Sequence, residues 1–367
     1  MPTLSIQPLA FRPEFEQIPE DEGKTTEELI AALRRILETT ASDEGRGLRA
    51  VHAKSHGVVT GELEPLPGLP EALAQGIFAQ PGPHPVILRF STNPGDLLPD
   101  TVSTPRGLAI KILGVAGERL PGSEGDTTQD FVLVNAPAFA APTPKKFLGN
   151  LKLLAGTTDK APRAKAVLSA VLRGVESAVE AVGGESATLK NLGGHPPTHI
   201  LGETFYSAVP MRHGPYYAKL SIAPVDPALV ALTDQKIDLA GRPDALREEV
   251  DAHMARHGGV WEVRVQLATD IERMPIEDAS VVWPEDVSPY VAVARITVPS
   301  QPSWTPARAK ALDEGLAFSP WHGVAEHRPL GGIMRTRKPA YAMSSAFRGQ
   351  RNGCPMHEPR DQVPLSE

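Results

Sequence analysis

The chain has 367 residues with 41% hydrophobic and 22% charged residues and a formal net charge of −7, a balance typical of folded soluble chains long enough for one large domain or two. The acidic balance and the lack of a basic block interleaved with aromatics exclude a nucleic-acid surface, and neither a run of about eighteen apolar residues nor a signal-peptide pattern is present. Cys354 is the only cysteine, which excludes an intrachain disulfide and leads us to expect a reducing, cytoplasmic setting.

In chain order, Leu29, Ile30, Leu33 and Leu37 share one stripe and predict a helix over 25–39. Short apolar or alternating runs follow at 49–60, 86–92, 107–115 and 131–135. An Ala-, Val- and Leu-rich stretch at 161–182 reads as a second helix. Strand-like runs return at 200–209 and 216–224, and Pro243 and Asp244 open a third helix over 243–257. The last runs lie at 260–268 and 290–298; no element is assigned to 335–353. The 37 prolines place many boundaries between these segments. Eight strands with helices beside them predict an α+β fold built on an antiparallel eight-stranded β-barrel or a strongly curled sheet. In the cleanest run, alternation points Trp261, Val263, Val265 and Leu267 inward and Glu262, Arg264 and Gln266 outward.

Two short segments carry the chemistry. Near the start stands Arg-Ala-Val-His-Ala-Lys (49–54); near the finish stands Arg-Thr-Arg-Lys-Pro-Ala-Tyr (335–341), followed by Arg348. Arg337 and Arg348 bracket the phenol of Tyr341, and a guanidinium beside a phenol favours its anion. A phenolate is one of the few axial ligands used for haem iron. His52 is the candidate acid/base group for the opposite face. Strand parity puts Arg89 and Ser91 on one face of the 86–92 run, away from Val86, Leu88 and Phe90. Arg49 and His52 are three apart, so a bulge is expected there, or Arg49 at the strand's start. Other candidates are weaker. His253 and His257 have i, i+4 spacing but no third ligand, Gly183-Gly184 reads as a helix stop, and Cys354, Met356 and His357 lie in a tail that reads as disordered.

Between the two ends stand Ile-Leu-Arg-Phe-Ser-Thr (87–92), Thr-Pro-Arg-Gly-Leu-Ala-Ile-Lys (104–111), Gln-Asp-Phe-Val-Leu-Val-Asn-Ala-Pro-Ala-Phe (129–139) and Val-Val-Trp-Pro (281–284). In order and spacing, from about Arg46 to Gly353, the chain resembles the haem catalases. The resemblance implies a β-barrel enclosing buried haem b with helices around it. Residues 1–45 would form an arm and helix, 46–353 the catalase-like haem-binding domain, and 354–367 a tail. It implies His52 as distal histidine, held by Ser91, with Asn135 as distal asparagine; Tyr341 as the iron ligand, bonded by Arg337; Arg49, Arg89 and Arg348 on the haem propionates; and Phe147 packed on the macrocycle. The implied activity is that of a minimal catalase-related peroxidase, without the family's long arm and C-terminal domains. It would reduce hydrogen peroxide or an organic hydroperoxide through a ferryl state, with a second peroxide or a small aromatic donor as reductant. A homodimer is the expected assembly.

The chain departs from the family at two points. Ala140 stands where a bulky aromatic is usual, which implies a wider pocket. Glu203 replaces a histidine, which puts proximal-side hydrogen bonding in question. Two alternatives carry other functions: an allene oxide synthase or hydroperoxide lyase acting on fatty-acid hydroperoxides, and a non-catalytic haem or lipid carrier. Relatives of the first kind have Thr before the distal His, where this chain has Val51, as catalases do. A carrier has no need of His52, Ser91 and Asn135 together.

Overall fold

A computed structural model describes residues 6–102, 104–155, 195–353 and 356–360. The helix expected at 161–182, the glycine pair 183–184 and Cys354 lie outside the described residues. Nine strands are seen: β1 Ser55–Pro65, β2 His84–Thr92, β3 Arg106–Ile112, β4 Gln129–Val134, β5 Phe205–Tyr206, β6 Met211–His213, β7 Tyr216–Pro224, β8 Gly259–Leu267 and β9 Val291–Val298. They form one sheet in the order β5-β4-β3-β2-β1-β9-β8-β7-β6, and a further β5–β7 pairing closes it. The result is an antiparallel eight-stranded barrel, with β6 as an extra hairpin on β7. Closure removes the exposed edges that an open sheet of this size would present.

Alternation decides what fills the barrel. Val86, Leu88 and Phe90 of β2 point in and join Trp261, Val263, Val265 and Leu267 of β8 in the main core, with the Phe90 and Trp261 ring centroids 6.2 Å apart. The interior is therefore packed with the chain's own side chains. The other face of β2, with Ile87, Arg89 and Ser91, looks outward. The candidate residues Arg89 and Ser91 thus lie on the outer wall of the barrel. Glu262 and Arg264 point outward on β8 as expected; Gln266 does too, but it is covered, donating to the carbonyls of Trp283 and Ser288.

Three helices pack against one another: α1 Glu22–Glu44, α2 Pro144–Ala155 and, after α3 Ala245–Met254, α4 Gly332–Asn352. Leu29, Leu33, Ile36 and Leu37 of α1 pack against Leu148 and Leu151 of α2 and Ala340 of α4. Burying such a stripe is what stabilises an amphipathic helix in water. Gly45 ends α1 in the left-handed conformation, φ 69°. Among the described residues no helix is long and apolar enough to cross a membrane.

Several segments differ from the sequence reading. Residues 49–54 are not strand; β1 begins at Ser55, and its register shift lies between Ser55 and Gly57. The 200–209 run holds a 3-10 turn, Ile200–Gly202, and the two-residue β5, while β6 and α4 were not foreseen. The tail is ordered over 356–360. The backbone N–H of His357 donates to the Gly315 carbonyl, and the Glu358 carboxylate accepts from the buried Lys111 and from Thr128. Lys111 is already paired with the buried Asp130 at 2.7 Å, and Glu358 adds a second carboxylate to that buried ammonium.

Candidate functional site

His52 sits in the irregular segment ahead of β1 with φ 55°, a left-handed conformation uncommon for a residue with a side chain. Three bonds hold it there. Its N–H donates to the Asn93 carbonyl at 2.6 Å, and Nη2 of Arg89 donates to the carbonyls of His52 and Ala53 at 2.9 and 3.3 Å. Nδ1 of the imidazole lies 3.1 Å from Oγ of Ser91, and that hydroxyl reaches the Gly107 carbonyl at 3.5 Å. With Ser91 donating to Gly107 and accepting from Nδ1–H, the lone pair is left on Nε2. Burial, and after it the charges of Arg89, Arg337 and Arg49, hold the imidazole neutral, down to about 3. The ring lies against Gly107 of β3, where a Cβ would come within 2.5 Å of Cε1 and 2.7 Å of Nδ1.

Tyr341 lies inside α4. Its hydroxyl is 2.6 Å from Nη2 of Arg337, one turn earlier, and the guanidinium also lies over the ring at 5.2 Å. Hydrogen bonds between the 47–50 and 344–352 segments bring the two ends of the sequence into one region: the Ala50 N–H points to Oγ of Ser344 at 3.4 Å, and Gly47 and Asn352 bond each other.

Arg49, Arg89 and Arg348 converge on a helical turn, Ala309–Glu314, wound as a π-helix. Asp313 takes Nη1 of Arg49 at 2.8 Å and Nε of Arg89 at 2.5 Å. The Leu316 carbonyl accepts from both Arg49 and Arg348, at 3.0 and 3.2 Å. Burial opposes the Asp313 charge, but Arg89 and Arg49 outweigh it and hold the carboxyl below its ordinary range. Burial and the neighbouring guanidiniums push Arg49 well down, and burial takes Arg348 to about 10. Sequence reasoning missed Asp313, a single acid in no motif; the cluster of arginines in need of a counter-charge was its only signal. It missed Gly107 as well, although that glycine lies within the quoted 104–111 segment.

Val51 and Phe147 are half-buried against the α1–α2–α4 cluster, and Phe147 meets Phe139 edge-on at 5.1 Å. Ala140 is exposed. Asn135 follows β4; its Oδ1 accepts from the Arg106 N–H at 2.9 Å and its Nδ2 donates to Oε2 of Glu203 at 2.6 Å. Glu203 thus stands with Asn135, paired to Arg106 and accepting from Thr198 at 2.9 Å. This corrects its expected proximal location: none of its bonds among the described residues goes to Tyr341 or Arg337. The rings of His253 and His257 lie 5.1 Å apart, tilted by 44°, and among the described residues no group of three or more His, Cys, Asp or Glu could hold a metal ion.

No protein-family model and no curated protein matches the chain. Solved structures do. A fungal catalase is similar at 19% identity and TM-score 0.58, over 86% of this chain and 61% of that one. Catalase A from Saccharomyces cerevisiae is similar at 17% and 0.58, over 86% and 63%. A bacterial catalase is similar at 17% and 0.59, over 99% and 67%. The chain thus spans about three-fifths of the first two, and it has a catalase-like fold. The residues present also suit a haem. Two guanidiniums, Arg49 and Arg89, share one carboxylate, while Arg348 beside them donates only to backbone carbonyls and keeps its Nε buried without a partner, so the cluster has excess positive charge for two propionates. The phenol bonded by a guanidinium is a haem-type donor.

Proposed function

We propose that the chain is a haem b enzyme that decomposes hydrogen peroxide, with an organic hydroperoxide as a second substrate class. The observation that carries this reading is the pair of supported side chains in one region: Tyr341 bonded by Arg337 at 2.6 Å, and a neutral His52 oriented by Ser91 at 3.1 Å. Haem, when bound, supplies the iron that takes up the two oxidising equivalents of the peroxide. Tyr341 would hold its iron through the phenol oxygen, with Arg337 stabilising the phenolate. Arg49, Arg89 and Arg348 would hold the propionates, with Val51 and Phe147 packing beside the ring. Nε2 of His52 accepts the proton of the inner peroxide oxygen and returns it to the outer one, so that water leaves. The amide of Asn135 keeps a second N–H on Nδ2 with which to orient the peroxide. The reducing step takes a second peroxide or a small aromatic donor, and the exposed Ala140 supports access for the donor.

Titration of the purified protein with haemin tests this reading. Equimolar binding is expected, with a tyrosinate charge-transfer band, oxygen release from peroxide, and oxidation of a phenolic donor at low peroxide. Tyr341→Phe is expected to lose that band or the haem; Arg337→Leu, which removes only the bond to the phenol oxygen, is expected to have a milder effect. A wild-type chain that binds no haem, or a Tyr341→Phe variant with the wild-type spectrum, overturns the assignment.

A further inference from the structure

The buried network behind Asn135 has a direction. An ionised carboxylate only accepts hydrogen bonds and a backbone N–H only donates. Nδ2 of Asn135 faces Oε2 of Glu203, and its Oδ1 faces the Arg106 N–H. Turning the amide over would set its oxygen against the carboxylate and its nitrogen against an N–H, two repulsive contacts in a buried place. Glu203 is itself held: Oε1 accepts from Thr198 and pairs with Arg106, whose Nη1 and Nη2 donate to Oγ1 of Thr198 at 2.7 Å and the Pro196 carbonyl at 3.1 Å. Arg106 is 2% exposed, so the pair is shielded from the solvent that weakens surface ion pairs. Arg106 also begins β3, immediately before the glycine on which the His52 ring lies. One buried ion pair therefore anchors both sides of the peroxide region.

We propose that Glu203 is a positioning residue of this site: paired to Arg106, it locks the Asn135 amide in the orientation that presents an N–H, never the carbonyl oxygen, to the substrate. The proposal rests on the haem peroxide reading and names what selects a hydrogen-bond acceptor, such as a peroxide oxygen, at that position. Only a carboxylate accepts on both sides. In Glu203→Gln, Arg106 and Thr198 would claim the amide oxygen, and the amide nitrogen would then face Nδ2 of Asn135, donor against donor.

The test uses full-length haem-loaded protein with selectively 15N-labelled asparagine, the Asn135 side-chain resonance being assigned by its loss in Asn135→Ala. In wild type, one Asn135 amide proton is expected downfield and protected from exchange, as a charge-assisted bond requires. In Glu203→Gln that signature is expected to disappear, and the second-order rate with hydrogen peroxide to fall about tenfold, the worth of one hydrogen bond, at unchanged haem occupancy. An unprotected Asn135 amide in wild type overturns the proposal without any variant having to fold. So does a Glu203→Gln protein that loses the signature yet reacts at the wild-type rate, or one that keeps it. Absence of haem binding in wild type is a separate result, and it refutes the underlying reading.

Discussion

The imidazole of His52 lies where β3 offers no side chain, and its backbone is held left-handed by Arg89 and Asn93. Its tautomer and its position are therefore set by different residues, which can be separated. His52→Ala should keep haem while slowing the reaction with peroxide by about 10²–10⁴-fold, the usual worth of a general acid–base group. Equal stopped-flow rates in the two proteins would remove His52 from the mechanism. Gly107→Ala keeps the imidazole but pushes it off its seat. The expected outcome is a smaller loss in the same direction, with haem retained; an unchanged rate would mean that the ring can shift freely. Asp313 offers a different measurement. Asp313→Asn leaves Arg49 and Arg89 without their shared counter-charge, a change that propionates could offset. Its apo form should lose more melting temperature than its haem-loaded form, and equal losses would argue against propionates at the cluster.

At the scale of elements, α4 has most to explain. Arg335, near its first turn, bonds Glu16, Glu22 and Glu277; burial opposes its charge, but the bonds to Glu22 and Glu277 raise it well above the ordinary arginine value. This joint fastens α4 to α1 and to the segment ahead of it. Arg335→Met leaves the partly buried Glu22 and Glu277 without their guanidinium, while Glu16 keeps Arg328, and should cost about 3 kcal/mol in urea unfolding; a loss under about 1 kcal/mol would class the joint with ordinary surface pairs. Why the sequence hid α4 is physically clear. Arg337, Tyr341 and Arg348 lie on its inner side and Pro339 interrupts it, so there is no apolar stripe for periodicity to find. The strands β2 and β8 were legible because one face of each fills the barrel and alternation survives. The segment 49–54 read as strand because it leads into the apolar run that becomes β1, but His52 needs a conformation that no strand provides. The motifs marked the candidate residues; Asp313 and the place of Glu203 depend on contacts made across the fold, which spacing does not encode.

For the whole molecule, buried neutral histidines set the response to acid. Burial lowers His199 to about 4, His213 to about 4 and His327 to about 3, and all three are under 4% exposed. The unfolded chain takes up these protons near pH 6.5 and the folded one only near 4 or below, so stability is full above about 6.5 and falls as the pH drops toward 4. Each site should contribute a slope of about 1 kcal/mol per pH unit between pH 6 and 5. Urea midpoints at pH 7 and pH 5 check this. His327→Gln keeps an acceptor for the Ile77 N–H and should flatten the slope by that one site's share, about 1 kcal/mol per pH unit; a wild-type slope in that variant would move the acid sensitivity elsewhere.

The layered arrangement has a consequence for the order in which the protein is made. The barrel runs from β1 to β9 without help from either end, whereas the wall facing it is built from α1 at the front of the sequence and α4 near the back. A chain emerging from the ribosome can complete the barrel, and with it Arg89, Ser91 and Gly107, while α4 is still unmade. During that interval it has a seat for His52 but no Tyr341 to grip iron. On the proposed haem reading, the iron would be gripped only once α4 has been made, after the barrel strands that precede it.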